Sequence, residues 1–310
     1  MNKKFAELAK KSKVIVIKVG SNILVNEKHS LRKKWLSSLV EDVQKLQKKG
    51  SKIIIVSSGA IALGRKILSK KKLTNLHEKQ AAASIGQIQL SQEWQKAFAK
   101  CKIQSSQILI TAEDLNERRK YLNIRNTIYS LMDLNVVPII NENDTTSTEE
   151  IRFGDNDKLS AMIANVLSAE LLILLSDVNG LYTSNPKKSA QAKLITSVEE
   201  VNQQIEKYID KDLSEFGSGG MLAKVNAAKL CIQSGSTMII SNGLVNNPLG
   251  NIHPKSSTWF LPSKNILTSR QQWIWNRPIQ KAILHIDEGA AKALKKNSSL
   301  LAIGVKAIEG

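Results

Sequence analysis

The sequence predicts an α/β fold: an open, mostly parallel sheet sandwiched between helices. Three observations carry that prediction. Short apolar runs rich in β-branched residues recur along the chain, longer segments with helical spacing separate them, and clusters of Gly, Ser, Asn and Asp follow the runs. Continuous apolar runs suit strands covered on both faces. Their alternation with helices favours βαβ units with right-handed crossovers, and ligands in such sheets bind beyond the carboxyl ends of the strands.

The first run, VIVIKV at 14–19, follows a basic segment, MNKKFAELAKKSK. Lys18 interrupts it after four apolar residues, so it reads as a buried strand and a poor signal-peptide core. In 31–49, Leu31, Trp35, Leu39, Val43 and Leu46 step by three or four and share one helical face, which Gly50 ends. The second strand, IIIVS at 53–57, turns through Ser58 and Gly59 into a helix. Helices at 78–100, 118–134 and 156–168 alternate with strands at 107–111, 136–140 and 171–175. A helix at 225–234 precedes the strand at 237–241. Near residue 250 the stretch GNIHPKSSTWFLP brings Gly, Pro and Ser punctuation. Beyond it, Leu284, Ile286, the Gly289 break and the closing LLAIGVKAI read as short strands around a small helix. The expected division is a main domain over 1–262 and a linker with a small C-terminal segment over 263–310, a segment thin for a core of its own.

Of the 310 residues, 42% are hydrophobic and 23% charged, which supplies a sizeable core and argues against disorder. The net charge of +18 points to phosphate-bearing partners, although Lys dominates the basic residues as in a general compositional bias. A nucleic-acid role is therefore not the favoured reading. Cys101 and Cys231 lie far apart, and the four histidines show no ligand spacing. No disulfide framework or resident metal site is expected, and the protein is placed in a reducing cytoplasm. No apolar run reaches the roughly 18 residues of a membrane helix, so no membrane partner is expected.

The polar clusters after the strands are the candidate site. Lys18 lies inside an apolar strand, where its ammonium either meets an anion or snorkels to the surface. Gly20 follows it. Ser58 and Gly59 open a turn whose helix offers free N–H groups. Gly64 is followed by Arg65–Lys66, so the Walker pattern is absent. Asn141, Glu142, Asn143 and Asp144 follow the fourth strand, and Gly154, Asp155, Asn156 and Asp157 come ten residues later. Such carboxylates and carboxamides hold an amine, orient lysines, or simply make turns and caps. Ser176 and Asp177 follow the fifth strand. Ser218, Gly219, Gly220, Met221, Leu222, Ala223 and Lys224 open a helix through a glycine nest suited to phosphate.

Taken in order, VIVIKVGSN, IIIVSSGAIALG, VVPIINENDTTSTEEIRFGDNDKLSA, LLILLSDVNGLYTSNP and FGSGGMLAK closely resemble the glutamate-phosphorylating branch of the amino-acid kinase family. The resemblance implies the amino-acid kinase (carbamate kinase-like) fold and transfer of a phosphoryl group from ATP, with Mg²⁺, to the side-chain carboxylate of L-glutamate. It implies that Lys18 and Lys224 stabilise the transferring phosphoryl, that Asp157 organises them, and that Gly20, Ser176, Asp177 and the 218–224 loop with Lys18 bind the nucleotide. Glutamate is expected near Ser58, Asp144 and Asn156, with Gly59, Asn141 and Asp155 as helpers. The resemblance further implies a homo-oligomer, proline as feedback inhibitor at an overlapping site, and a glutamyl-phosphate reductase as possible partner. Three departures stand out: Ala223 where a threonine is usual, Ser176 for threonine, and Asn22 for serine. Residues 278–310 resemble only the opening portion of a PUA domain. The competing readings are a same-fold kinase acting on aspartate, acetylglutamate, carbamate or UMP, and a catalytically inactive RNA-binding or regulatory protein.

Overall fold

The computed structural model describes residues 1–69, 72–147, 156–186, 189–209, 220–263, 283–295 and 298–309. It separates into two compact units, Met1–Trp275 and Asn276–Gly310.

The first unit runs α1 (Lys3–Lys11), β1 (Val14–Val19), α2 (Ser21–Leu24), α3 (Lys33–Gln47), β2 (Lys52–Ser57), α4 (Ala60–Ile67), α5 (Leu76–Lys100), β3 (Ser105–Ile110), α6 (Ala112–Asn116), α7 (Arg118–Asp133), β4 (Val137–Glu142), α8 (Asn156–Val166), β5 (Leu171–Ser176), β6 (Ser197–Val198), α9 (Gln203–Lys207), α10 (Met221–Ser234), β7 (Thr237–Asn242) and β8 (Ser257–Phe260). The strands form one sheet in the order β3-β4-β2-β1-β5-β7-β8-β6. Every pairing is parallel except β7 with β8. The six expected strands therefore exist and pair as an α/β sheet requires.

Side-chain alternation along β1 explains the two cores. Ile15, Ile17 and Val19 pack under α3 and α5 with Trp35, Leu39, Val43, Trp94 and Phe98. Val14 and Val16 face the opposite layer, with Met132 of α7, Ile163 of α8 and Ala228 of α10. Lys18 is two residues beyond Val16, so the period of two sends it to the α8 and α10 side.

Two differences from the sequence reading have simple causes. Strand β4 extends through Asn141 and Glu142, which pair with Leu109 and Ile110 of β3; ladder hydrogen bonds need only backbone, so a polar end does not stop the strand. Strand β8 carries no expectation from the sequence, being four residues flanked by Pro and Ser, yet it lies antiparallel on β7 with Trp259 opposite Ile239.

Helices α4 and α5 meet through backbone. A Cβ on Gly64 would lie 1.7 Å from the Ala82 carbonyl oxygen, and one on Gly86 would lie 1.8 Å from that of Ala60. Glycine is required at both positions by this close approach.

The second unit holds β9 (Ile283–Ile286), α11 (Glu288–Lys295) and β10 (Val305–Glu309), with the two strands antiparallel. These are the short strands and small helix expected there. The junction between the units falls in 264–282, outside the described residues.

Candidate active site

Three elements deliver one buried ionic cluster. Lys18 comes from β1, Asp157 from the first turn of α8, and Lys224 from the first turn of α10. The Lys18 ammonium lies 2.5 Å from Asp157 Oδ1 as an ion pair, and Lys224 Nζ donates to Asp157 Oδ2 at 2.9 Å. Asp157 is fully buried, with side-chain exposures of 7% for Lys18 and 10% for Lys224. Burial alone would push the Asp157 carboxyl up. The charges and hydrogen bonds of Lys18 and Lys224 overcome that and hold it below the usual carboxylate range. Among the described residues the cluster sets two ammonium groups against one carboxylate, a net positive charge suited to an anion.

The surroundings leave room for that anion. A Cβ on Gly20 would sit 3.7 Å from Lys18 Nζ, so glycine keeps the space beside the ammonium open. Gly220 caps α10 with extended backbone and no side-chain hydrogen bond, and Met221, Leu222 and Ala223 form the turn before Lys224. The Ala223 N–H bonds back to the Gly220 carbonyl at 3.1 Å, and the N–H groups of Met221 and Leu222 at the helix start are of the kind that bind an anion.

At the end of β5, buried Ser176 donates to Asp177 Oδ1 at 3.2 Å, and Asp177 is exposed. The turn beyond rests on β8: a Cβ on Gly180 would lie 2.2 Å from Thr258 Oγ1, which accepts from the Leu181 N–H at 2.8 Å. Asn242 Nδ2 donates to Asn179 Oδ1 at 3.1 Å and so ties the ends of β5 and β7 together. Tyr182, read as either base-contacting or core-covering, is part-buried and accepts from Asn179 Nδ2.

A second group surrounds the turn after β2. Gly59 has φ +113°, a left-handed conformation that reverses the chain into α4. Asn156, next to Asp157, directs its Nδ2 to Ser58 Oγ at 2.8 Å, Asn141 Oδ1 at 3.0 Å and Ser57 O at 3.2 Å. Its Oδ1 is buried and has no hydrogen-bond partner among the described residues. Asp144 lines an adjoining cavity of about 260 Å³ with Ser84, Gln87, Gln107 and Glu142. Burial there pushes the Asp144 carboxyl up to about 6.

Of the expected site residues, Lys18, Asp157 and Lys224 come together as one cluster, and Ser58, Asn141 and Asn156 as one hydrogen-bonded network beside it. Asp155, Ser218 and Gly219 lie outside the described residues. Gln87 and Trp94 carried no expectation. Both reach the site from α5, Gln87 accepting from Asn141 Nδ2 at 2.8 Å and Trp94 Nε1 donating to Ser57 Oγ at 3.0 Å. Nothing local marks either residue, because the α4–α5 contact brings them in from a distance.

A parallel sheet with lysines and a carboxylate gathered beyond its strand ends defines a phosphotransferase type of site, and the amino acid kinase family model matches residues 13–242. Solved structures share the fold: carbamate kinase from Giardia lamblia bound to AMP-PNP aligns with a TM-score of 0.58 at 19% identity, covering 82% of this chain and all of that one. An isopentenyl phosphate kinase aligns at 0.55 and 16%, covering 79% and 99%.

Curated sequences narrow the class. Glutamate 5-kinase of Pelagibacter ubique is 48% identical over 97% of this chain and 82% of its own length. That of Rhizobium johnstonii is 44% identical over 96% and 77%, and that of Bradyrhizobium diazoefficiens 45% over 96% and 80%. The chain belongs to the glutamate 5-kinases of the amino acid kinase family.

Proposed function

We propose that this protein transfers the γ-phosphoryl group of ATP to the side-chain carboxylate of L-glutamate. The product is L-glutamyl 5-phosphate, and the reaction is the first step of proline biosynthesis. The carrying observation is the Lys18–Asp157–Lys224 cluster in a chain of the glutamate 5-kinase family.

The chemistry asks little else of the protein. The nucleophile is already a carboxylate, so no base has to remove a proton from it. Phosphoryl transfer then depends on positioning and charge neutralisation. Lys18 and Lys224 neutralise the charge on the transferring group, while Asp157 holds the two ammonium groups in place. Mg²⁺ travels on the nucleotide's phosphate oxygens and shares in neutralising them; the net positive cluster fits such an incoming polyphosphate. Gly20, Ser176, Asp177 and the 218–224 segment with Lys18 form the nucleotide side in this reading. Ser58, Gly59, Asn141, Asp144, Asp155 and Asn156 form the glutamate side. Asp144 and the free Oδ1 of Asn156 supply acceptors for the substrate's cationic amine.

Several finer points extend the reading. Proline, which also presents an amine beside a carboxylate, competes at the 141–157 segment. The protein works as a homo-oligomer. A glutamyl-phosphate reductase receives the product, an acyl phosphate that hydrolyses and cyclises if released. No helix among the described residues is long and apolar enough to cross a membrane, and the free Cys101 and Cys231 suit the cytoplasm.

The test is ATP turnover with Mg²⁺ in hydroxylamine, comparing L-glutamate, L-aspartate, N-acetylglutamate and UMP. A hydroxamate formed with L-glutamate and not with the others is expected. Turnover confined to another acceptor, or to none, would sink the proposal.

A further inference from the structure

We propose that Gln87 is a positioning residue: it sets the orientation of the Asn141 and Asn156 side-chain amides so that Asn156 offers an oxygen, and not its NH₂ group, to the amine of the substrate. The inference rests on the reading of Asn156 as a glutamate contact.

The orientation follows from counting donors and acceptors. Asn156 Nδ2 faces three oxygens, Ser57 O, Ser58 Oγ and Asn141 Oδ1. Turned over, Asn156 would point its own oxygen at the Ser57 carbonyl and at Asn141 Oδ1. Its present orientation therefore requires Asn141 to present Oδ1. That oxygen also accepts from the Glu142 N–H at 2.9 Å. The other end of the Asn141 amide, Nδ2, is a donor in a mostly buried residue and donates to Gln87 Oε1 at 2.8 Å. Gln87 is oriented in turn, because its Nε2 donates to Ser91 Oγ at 3.2 Å. Ser91 donates to the Gln87 carbonyl at 2.9 Å and closes against Gln107 Oε1 on β3. The relay Ser91–Gln87–Asn141–Asn156 thus has one consistent direction and ends at Asn156 Oδ1, buried and without a partner among the described residues.

Packing keeps Gln87 in reach. Its neighbour Gly86 lets α5 touch the Ala60 carbonyl at the start of α4, the turn that carries Ser58 and Gly59. The helix face bearing Gln87 is thereby locked to the substrate turn. Without the Gln87 acceptor, Asn141 Nδ2 is left unsatisfied, a costly state for a buried donor. Asn156 Oδ1 is then available to it, and the acceptor meant for the substrate is consumed.

The test is steady-state kinetics on Gln87→Met, Gln87→Glu and Ser91→Ala beside the unaltered protein. Met fills the volume without an acceptor, Glu restores the acceptor alone, and Ser91→Ala removes the pin on Gln87 while suiting the helix. The expected result for Gln87→Met is a KM for L-glutamate raised about ten- to a hundredfold, the loss of a hydrogen bond to a charged group, with the KM for ATP and kcat little changed. Gln87→Glu returns the KM to within a few-fold, and Ser91→Ala falls between. If Gln87→Met does not fold, the Glu and Ala variants still order the outcome. An unchanged glutamate KM in the folded variants carrying Met or Ala, a Glu variant as impaired as Met, or a loss confined to kcat would overturn the inference. Absence of glutamate turnover in the unaltered protein would instead overturn the functional reading on which it rests.

Discussion

At Lys224 the side chain is nearly buried and pairs with Asp157. Lys224→Ala is expected to lower kcat at least about a hundredfold, the scale of losing one preorganised electrostatic donor, with glutamate KM little altered; single-substrate kinetics decide it. Asp157→Asn removes the carboxylate that two buried ammonium groups share and is expected to cost about 3–5 kcal/mol by chemical denaturation. Asp144 makes the opposite demand. Burial raises its carboxyl to about 6 from the ordinary 3.8, so between those values the folded protein binds more protons than the unfolded chain. Stability contributed at this position falls as pH rises through that window. Asp144→Asn is therefore expected to stabilise the protein by about 1–3 kcal/mol above pH 6 and by nothing below about pH 4, while weakening glutamate binding. In the unaltered protein, glutamate KM is flat near neutrality and climbs as pH falls through about 6; melting curves and KM across pH check both halves. Lys18, Asp157 and Lys224 were legible because each stands out against its local sequence: a lysine in an apolar strand, an acid at a helix start, a lysine after a glycine nest. Gln87 was not, since an amide on a long helix looks like solvent-facing surface until the fold shows what it meets.

Among the elements, the strands that were plain in sequence are those covered on both faces, such as β1, β2 and β5. Burial on two sides removes the polar alternation and leaves an unmistakable apolar run. The two residues of β6 and four of β8 are too few for any periodicity to register. Helix α1 is hidden by its lysines, although Asn2 caps it and Phe5 and Ala9 are buried. The α4–α5 pair was legible as two helices but not as a contact, because nothing in the sequence around Gly64 or Gly86 tells which backbone each glycine will touch. Their role predicts their intolerance. Gly64→Ala or Gly86→Ala forces a methyl group against a carbonyl oxygen and is expected to cost about 3 kcal/mol or more, read as a lowered denaturation midpoint. Gly50→Ala meets nothing within 4 Å; its cost is confined to its positive φ, and it serves as the comparison.

On the scale of the whole molecule, the named site residues all fall within Met1–Trp275. The described residues of the Asn276–Gly310 unit form two antiparallel strands with a helix between them in sequence, and Leu301, Ile303 and Ile308 are exposed. A protein ending at Trp275 is therefore expected to keep the glutamate and ATP kinetics of the longer chain; a collapse of kcat in folded, shortened protein would show that the second unit participates. The ionic cluster ties together positions 18, 157 and 224, contributed by a strand and two helices far apart in the chain. Removing Asp157 takes away the carboxylate that both ammonium groups share, whereas removing either lysine leaves the other paired with Asp157 and lowers the positive charge offered to an incoming anion. The arrangement can therefore fail in two separate ways: loss of the acid weakens the fold, and loss of either lysine weakens the reaction while one ion pair to Asp157 remains to hold two of the three elements together.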